Sequence, residues 1–136
     1  IPLRLVGSEM CIRDSVSLMI NISDSNEINN PNNVKVIVDS DNYALYFSRS
    51  VIPFNRDVNS NEIDYFKHIG VYGFTKQALI NFSKLPPSKL ELVEKIEAIR
   101  IIENGSKIKM IETDFLGVGI DTKEDLDLAI SIWSKK

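Results

Sequence analysis

Cysteine and histidine are nearly missing from this chain. One of each, Cys11 and His68, stands among its 136 residues. A lone cysteine cannot close an internal disulfide, so nothing marks an oxidising compartment. One histidine and one cysteine cannot build a His/Cys zinc cluster, which leaves hard cations on oxygen ligands as the available metal chemistry. Long apolar runs are missing too: no stretch approaches the roughly 20 residues that a membrane helix needs. Basic clusters are limited to the terminal Lys135-Lys136, and a net charge of −3 gives no electrostatic reason to expect nucleic acid as a partner. What remains is ordinary globular composition, 43% hydrophobic and 26% charged, in a length that suits one modest domain or half of a larger α/β domain.

Residues 1–15, IPLRLVGSEMCIRDS, show neither helical nor alternating periodicity. They lack the apolar core and small-residue cleavage site of a secretory signal, and they are expected to be an adapter-derived or disordered leader. From Val34 the pattern becomes regular. Val34, Val36 and Val38 alternate with their neighbours, Tyr43 to Phe47 is a second β-rich run, and Asp39 to Asn42 supplies turn residues, which predicts a β-hairpin. A polar loop covers Asn55 to Asp64. Ile69 to Phe74 reads as a strand, and its glycines, Gly70 and Gly73, suggest close approach of another backbone or a ligand. Thr75 caps a short helix with Leu79 and Phe82 facing inward, stopped by Pro86-Pro87. Ser88 and Glu91 form a capping box that opens one helix running to Asn104-Gly105, with Leu92, Ile96, Ile99 and Ile102 on its apolar face. Lys107 to Glu112 alternates as a strand. Thr122 and Asp125 open a last helix carrying Leu126, Ile130 and Trp133 at helical spacing. This order suits part of an α/β sheet.

Four blocks then align with a family. PNNVKVIVDSDNYALYFSRSVIPFNRD, FKHIGVYGF, LPPSKLELVEKIEAIRIIENGSKIKMIE and GVGIDTKEDLDLAI together resemble 3-deoxy-manno-octulosonate (Kdo) cytidylyltransferase, over roughly Val16 to Trp133. The resemblance implies a Rossmann-like nucleotidyltransferase fold, of which residues 16–136 would be the C-terminal half: a mixed sheet with flanking helices and a β-hairpin. It implies a magnesium-dependent, cytoplasmic and generally dimeric enzyme of lipopolysaccharide biosynthesis, with CTP and Kdo as its small-molecule partners. It also implies the reaction, attack of the sugar acid's anomeric hydroxyl on the α-phosphate of CTP with release of pyrophosphate. Family enzymes open with a glycine- and arginine-containing phosphate loop, and no such loop followed by a helix occurs in this chain. Sugar-side and metal-side groups are therefore expected here without a complete CTP site. Half a sheet is expected to leave strand edges uncovered.

The resemblance also assigns residues. Asp121 matches the aspartate of the family's G-x-D-T block and is expected to bind magnesium; taken alone, it reads as help for the Thr122 cap. Arg49 matches the arginine of F-S-R, which contacts the sugar acid. A guanidinium grips a carboxylate with two parallel hydrogen bonds, although most arginines simply lie at the surface. Ser48 can add a hydroxyl beside it. His68 and Tyr72 match H-x-G-x-Y and, by alternation, share one side of a strand with Gly70. They offer hydrogen bonds to a sugar; alone, such residues are more often packed structural ones. Glu97 matches a helical acid that reaches the pocket, against the plain reading of an i,i+3 pair with Arg100. Ala98 departs from the family's glutamine, which keeps another acidic sugar (an amino-Kdo or an acylneuraminate) open as the substrate. A non-catalytic sugar-acid-binding or oligomerisation module is the alternative from a different class.

Overall fold

The computed structural model describes residues 15–57, 63–114 and 122–134. Residues 1–14 of the expected 1–15 leader, part of the polar loop, the Phe115 to Ile120 run with Asp121, and the side chain of Trp133 lie outside the described residues, while Ser15, placed in that leader by the sequence, opens the first strand. Five strands form one mixed sheet: β1 (Ser15–Ile22), β2 (Lys35–Val38), β3 (Ala44–Ser48), β4 (Tyr65–Phe74) and β5 (Lys109–Glu112), in the order β3-β2-β4-β1-β5. The β1–β5 pair is parallel and every other pair antiparallel. Helices α1 (Ser25–Asn29), α2 (Lys76–Lys84), α3 (Lys89–Glu94), α4 (Ala98–Glu103) and α5 (Lys123–Ser134) complete the α/β architecture.

The expected hairpin is present, with Val36 opposite Phe47 and the Asp39 carboxylate accepting from the Asp41 and Tyr43 amides at 2.9 Å. Strand β1 was not legible. It has the alternation of a strand, yet its serines face inward: Ser15 and Ser17 are buried while Val16 and Leu18 are half-buried. The outer strands of the sheet meet at one end. Tyr43 bridges Lys109, the Ala44 amide donates to the Ile108 carbonyl at 2.9 Å, and the Met110 amide donates to the Asn42 carbonyl at 2.8 Å.

The single helix expected from Ser88 to Asn104 is two helices. Lys95 adopts a left-handed conformation, φ 61°, between α3 and α4. A continuing helix would send the Glu94 and Lys95 carbonyls to amides four residues on. Arg49 takes both instead, Nε donating to Glu94 O at 2.7 Å and Nη2 to Lys95 O at 3.1 Å. Past this corner the apolar face shifts. Ala98, Ile99 and Ile101 are buried with Ile96, whereas Leu92 is exposed. With Met19, Val36, Phe47, Ile108 and Met110 they form the core between α4 and the sheet.

The capping signals are present in part or in full. Thr75 Oγ1 accepts from the Ala78 amide, and Thr122 and Asp125 exchange reciprocal bonds at 3.1 Å. Glu91 accepts from the Ser88 amide at 2.9 Å, and its carboxylate is also gripped by Arg100 at 2.9 and 2.6 Å, so Arg100 pairs with Glu91 rather than in the plain i,i+3 alternative with Glu97. On α2, Phe82 packs inward as expected, while Leu79 is exposed.

The close approach predicted for the glycines exists at Gly73. A Cβ built there would stand 2.8 Å from Val16 Cγ2 on the paired strand, closer than real carbons approach. Gly73→Ala is therefore expected to cost about 1–3 kcal/mol of stability by overpacking. Adding Val16→Ala should recover most of that loss, as read by urea unfolding of the single and double variants. At Gly70 there is open space, with nothing within 4 Å.

Candidate functional site

Strand β4 carries the site, and a bulge shapes it. Ser17 pairs with Tyr72, but the next residue, Leu18, pairs with Ile69, so Gly70 and Val71 loop out of the ladder. In a regular strand, residues four apart are separated by about 13 Å. Here the rings of His68 and Tyr72 lie 5.5 Å apart, edge to face. Sequence alternation placed the two on one side with Gly70 between them; the bulge instead puts Gly70 and Val71 out in solvent. Bulges that re-aim side chains are common beside active sites.

An aromatic ladder extends from these rings. Phe47 lies 4.8 Å from His68, Tyr72 stacks on Phe74 at 5.9 Å, Phe74 stacks on Phe82 at 5.7 Å, and the Arg100 guanidinium covers Phe82 at 4.8 Å. Burial against this ladder lowers the His68 pKa to about 4, so the imidazole is neutral at pH 7. Burial, and then the negative charge of Glu97, push the Tyr72 hydroxyl up to about 12, so it keeps its proton. Glu97 sits at the corner before α4, exposed, and its side chain makes no cap bond. His68, Tyr72 and Glu97 are thus brought together, two on one strand and the third close enough for its charge to act on Tyr72.

Arg49 stands at the α3–α4 corner. Its Nη1 also donates to Pro31 O at 3.0 Å, and its amide donates to Glu94 Oε1 at 3.1 Å, so it braces that corner against the 30–33 turn. Three of its five guanidinium N–H donors serve main-chain carbonyls. Ser48 is buried, and its Oγ accepts from the Ser50 amide. Ala98 is 1% exposed and part of the core.

Lys35 and Ser17 were not read from the sequence. Lys35 has no exposed surface, and its Nζ donates to Asn30 O at 2.9 Å and Asn33 O at 2.7 Å. Burial, with the nearby Arg49 charge, lowers its pKa, and Glu94 opposes them. Ser17 Oγ lies 2.8 Å from His68 Nε2, 2.8 Å from Val71 O and 3.2 Å from Ile69 O. No sequence signal distinguishes Ser17 from its neighbours; only the bulge does.

An open cleft of about 610 Å³ lies at the carboxyl ends of β1 and β5, lined by Ile20, Asn21, Glu112, Thr113 and Asp114. Ligands of α/β sheets commonly bind at such strand ends. Among the described residues no group of three or more His, Cys, Asp or Glu side chains could hold a metal ion. Asp121, the expected magnesium ligand, lies outside them, so the described residues alone do not make a metal centre. Among them, too, no helix is long and apolar enough to cross a membrane.

The chain belongs to the cytidylyltransferase family, whose profile matches residues 8–108. Within that family its relatives are specific. It is 55% identical over 116 residues to the 3-deoxy-manno-octulosonate cytidylyltransferase of Flavobacterium johnsoniae, covering 85% of this chain and 47% of that protein. The enzyme of the same name from Christiangramia forsetii is 54% identical over 121 residues, covering 89% and 48%. Among solved structures, a CMP:2-keto-3-deoxy-manno-octonic acid synthetase complexed with CTP superposes with a TM-score of 0.84 at 32% identity, covering 98% of this chain and 55% of that one. The chain spans about half the length of the curated relatives it matches.

Proposed function

We propose that this chain supplies the sugar-acid side of an enzyme that transfers CMP from CTP to Kdo. The observation that carries the reading is the fold match, over 98% of the chain, to a CMP:2-keto-3-deoxy-manno-octonic acid synthetase complexed with CTP. In the reaction the anomeric oxygen bonds to the α-phosphorus, the bond to the pyrophosphate oxygen breaks, and the hydroxyl proton is released. Neutral His68 and protonated Tyr72 act as uncharged hydrogen-bond partners for the sugar, and Glu97 accepts from its hydroxyls. The carboxylate is left to Arg49, through the two N–H groups that the brace does not use. Magnesium is the proposed cofactor, with Asp121 as one ligand; when bound, such an ion offsets triphosphate charge. A homodimer, a cytoplasmic location and service in lipopolysaccharide assembly complete the proposal.

The test is a chimera in which residues 16–136 replace the matching segment of the Flavobacterium johnsoniae enzyme. It should release pyrophosphate from CTP only when Kdo is present. Asp121→Ala in the chimera should lower that rate about a hundredfold with an unchanged unfolding midpoint. Release that ignores Kdo defeats the substrate assignment, and full activity in the Asp121→Ala chimera defeats the metal assignment.

A further inference from the structure

Ser17 stands where three acceptor-capable atoms converge on one hydroxyl. Its Oγ is within hydrogen-bond distance of Val71 O at 2.8 Å, Ile69 O at 3.2 Å and His68 Nε2 at 2.8 Å. A serine hydroxyl has one proton and two lone pairs. Both carbonyls only accept, so the proton belongs to them; given to the imidazole, it would leave two carbonyl oxygens facing bare lone pairs. The hydroxyl oxygen must then accept from His68, which requires the ring to carry its hydrogen on Nε2. Burial keeps that ring neutral at pH 7, so the other nitrogen, Nδ1, has no proton. Nδ1 makes no hydrogen bond to a described residue. The one buried polar side-chain atom left without a partner among the described residues is Ser88 Oγ, so Nδ1 is open to its surroundings.

We infer that Ser17 is a positioning residue: it pins the β4 bulge and fixes His68 as the Nε2–H tautomer, so the ring presents an acceptor nitrogen to the ligand. From the sequence, His68 offers a hydrogen bond that could be donated to either a hydroxyl or a carboxylate of the sugar. The Ser17 geometry removes the carboxylate, because a bare Nδ1 repels a carboxylate and accepts from a hydroxyl. Resting on the function proposed above, the partner of His68 is a hydroxyl group of the sugar, and the carboxylate is bound elsewhere. Ser17 is 1% exposed, so it does not touch the ligand and acts through the ring.

The chain contains a single histidine, which makes the test direct. In the whole chain labelled with ¹⁵N-histidine, two-bond ¹H–¹⁵N correlations at pH 7.5 should show Nε2 in the protonated range and Nδ1 in the unprotonated range. The reverse assignment, or two averaged shifts, overturns the inference. Ser17→Ala should move both nitrogens toward averaged values, and Ser17→Thr, which keeps the hydroxyl, should retain the single tautomer. Unchanged shifts in Ser17→Ala overturn the role of Ser17. If Ser17→Ala does not fold, the wild-type and Ser17→Thr spectra still decide the tautomer. Adding Kdo should shift Nδ1 and leave Nε2 in place. A wild-type spectrum with the expected tautomer and no response to Kdo sinks the sugar-facing part of the proposal while the tautomer stands.

Discussion

Phe47→Ala should lower the free energy of unfolding by about 3–5 kcal/mol, the largest loss expected from any single truncation here. Phe47 has no exposed surface and lies on β3 opposite Val36. Its ring also forms the wall against which His68 packs, 4.8 Å between centroids. Removing it takes away the transfer energy of a buried aromatic and opens a cavity between the sheet and α4. The cavity cannot collapse easily, because Arg49 ties the end of β3 to the α3–α4 corner. Urea unfolding should show the midpoint falling with the slope unchanged. A loss under about 1 kcal/mol would mean that this ring is not in the core.

Acidification should remove about 3 kcal/mol of stability through His68 alone. Its pKa falls from the ordinary 6.5 to about 4 in the folded chain. As pH drops below 6.5, the unfolded chain takes up this proton while the folded chain does not. The contribution is therefore complete above 6.5, declines through the window down to about 4, and is absent below it. The groups that contact the ring, Ser17, Phe47 and Tyr72, carry no charge in that window, so burial sets the effect. Asp39 and Glu91 act in the same direction at lower pH: hydrogen bonds lower their pKa values, and their contributions fade as pH falls through the usual carboxylate range and below. Comparing the chain with His68→Gln across pH 4–7 isolates the histidine term, since both proteins share those carboxyls. Parallel stability curves for the two proteins would refute the shift.

Much of the fold was legible because its signals are local. Asp39 to Asn42 makes its own turn, and Thr75 and Thr122 each cap a helix through an amide three residues away. The α/β class followed from the order of such segments, and the mixed sheet and the family followed from four blocks in register. What escaped depends on distant partners. Nothing between Ser88 and Asn104 announces a break at Lys95; Arg49, some 45 residues upstream, makes it by removing two carbonyls from the helix. Strand β1 hid behind serines that point into the protein, where the bulge of β4 needs a hydroxyl. The site divides the same way. His68 and Tyr72 were singled out by their match to H-x-G-x-Y, whereas their contact rests on a register shift, and the role of Ser17 on a proton count.

The meeting of Tyr43 with Lys109 changes what kind of object the sheet is. A five-stranded ribbon ordinarily has two rims, each a row of unpaired peptide groups on which another polypeptide can crystallise as an extra strand. Here the rims are buttoned together at residues 42–44 and 108–110, and the ribbon curls toward a hoop. The ammonium groups of Lys107 and Lys109 sit at the button, 5.3 and 4.7 Å from the Tyr43 ring, where charge further discourages an incoming strand. Half a sheet was expected to leave its strand edges uncovered. At residues 42–44 and 108–110 the two edges cover each other instead.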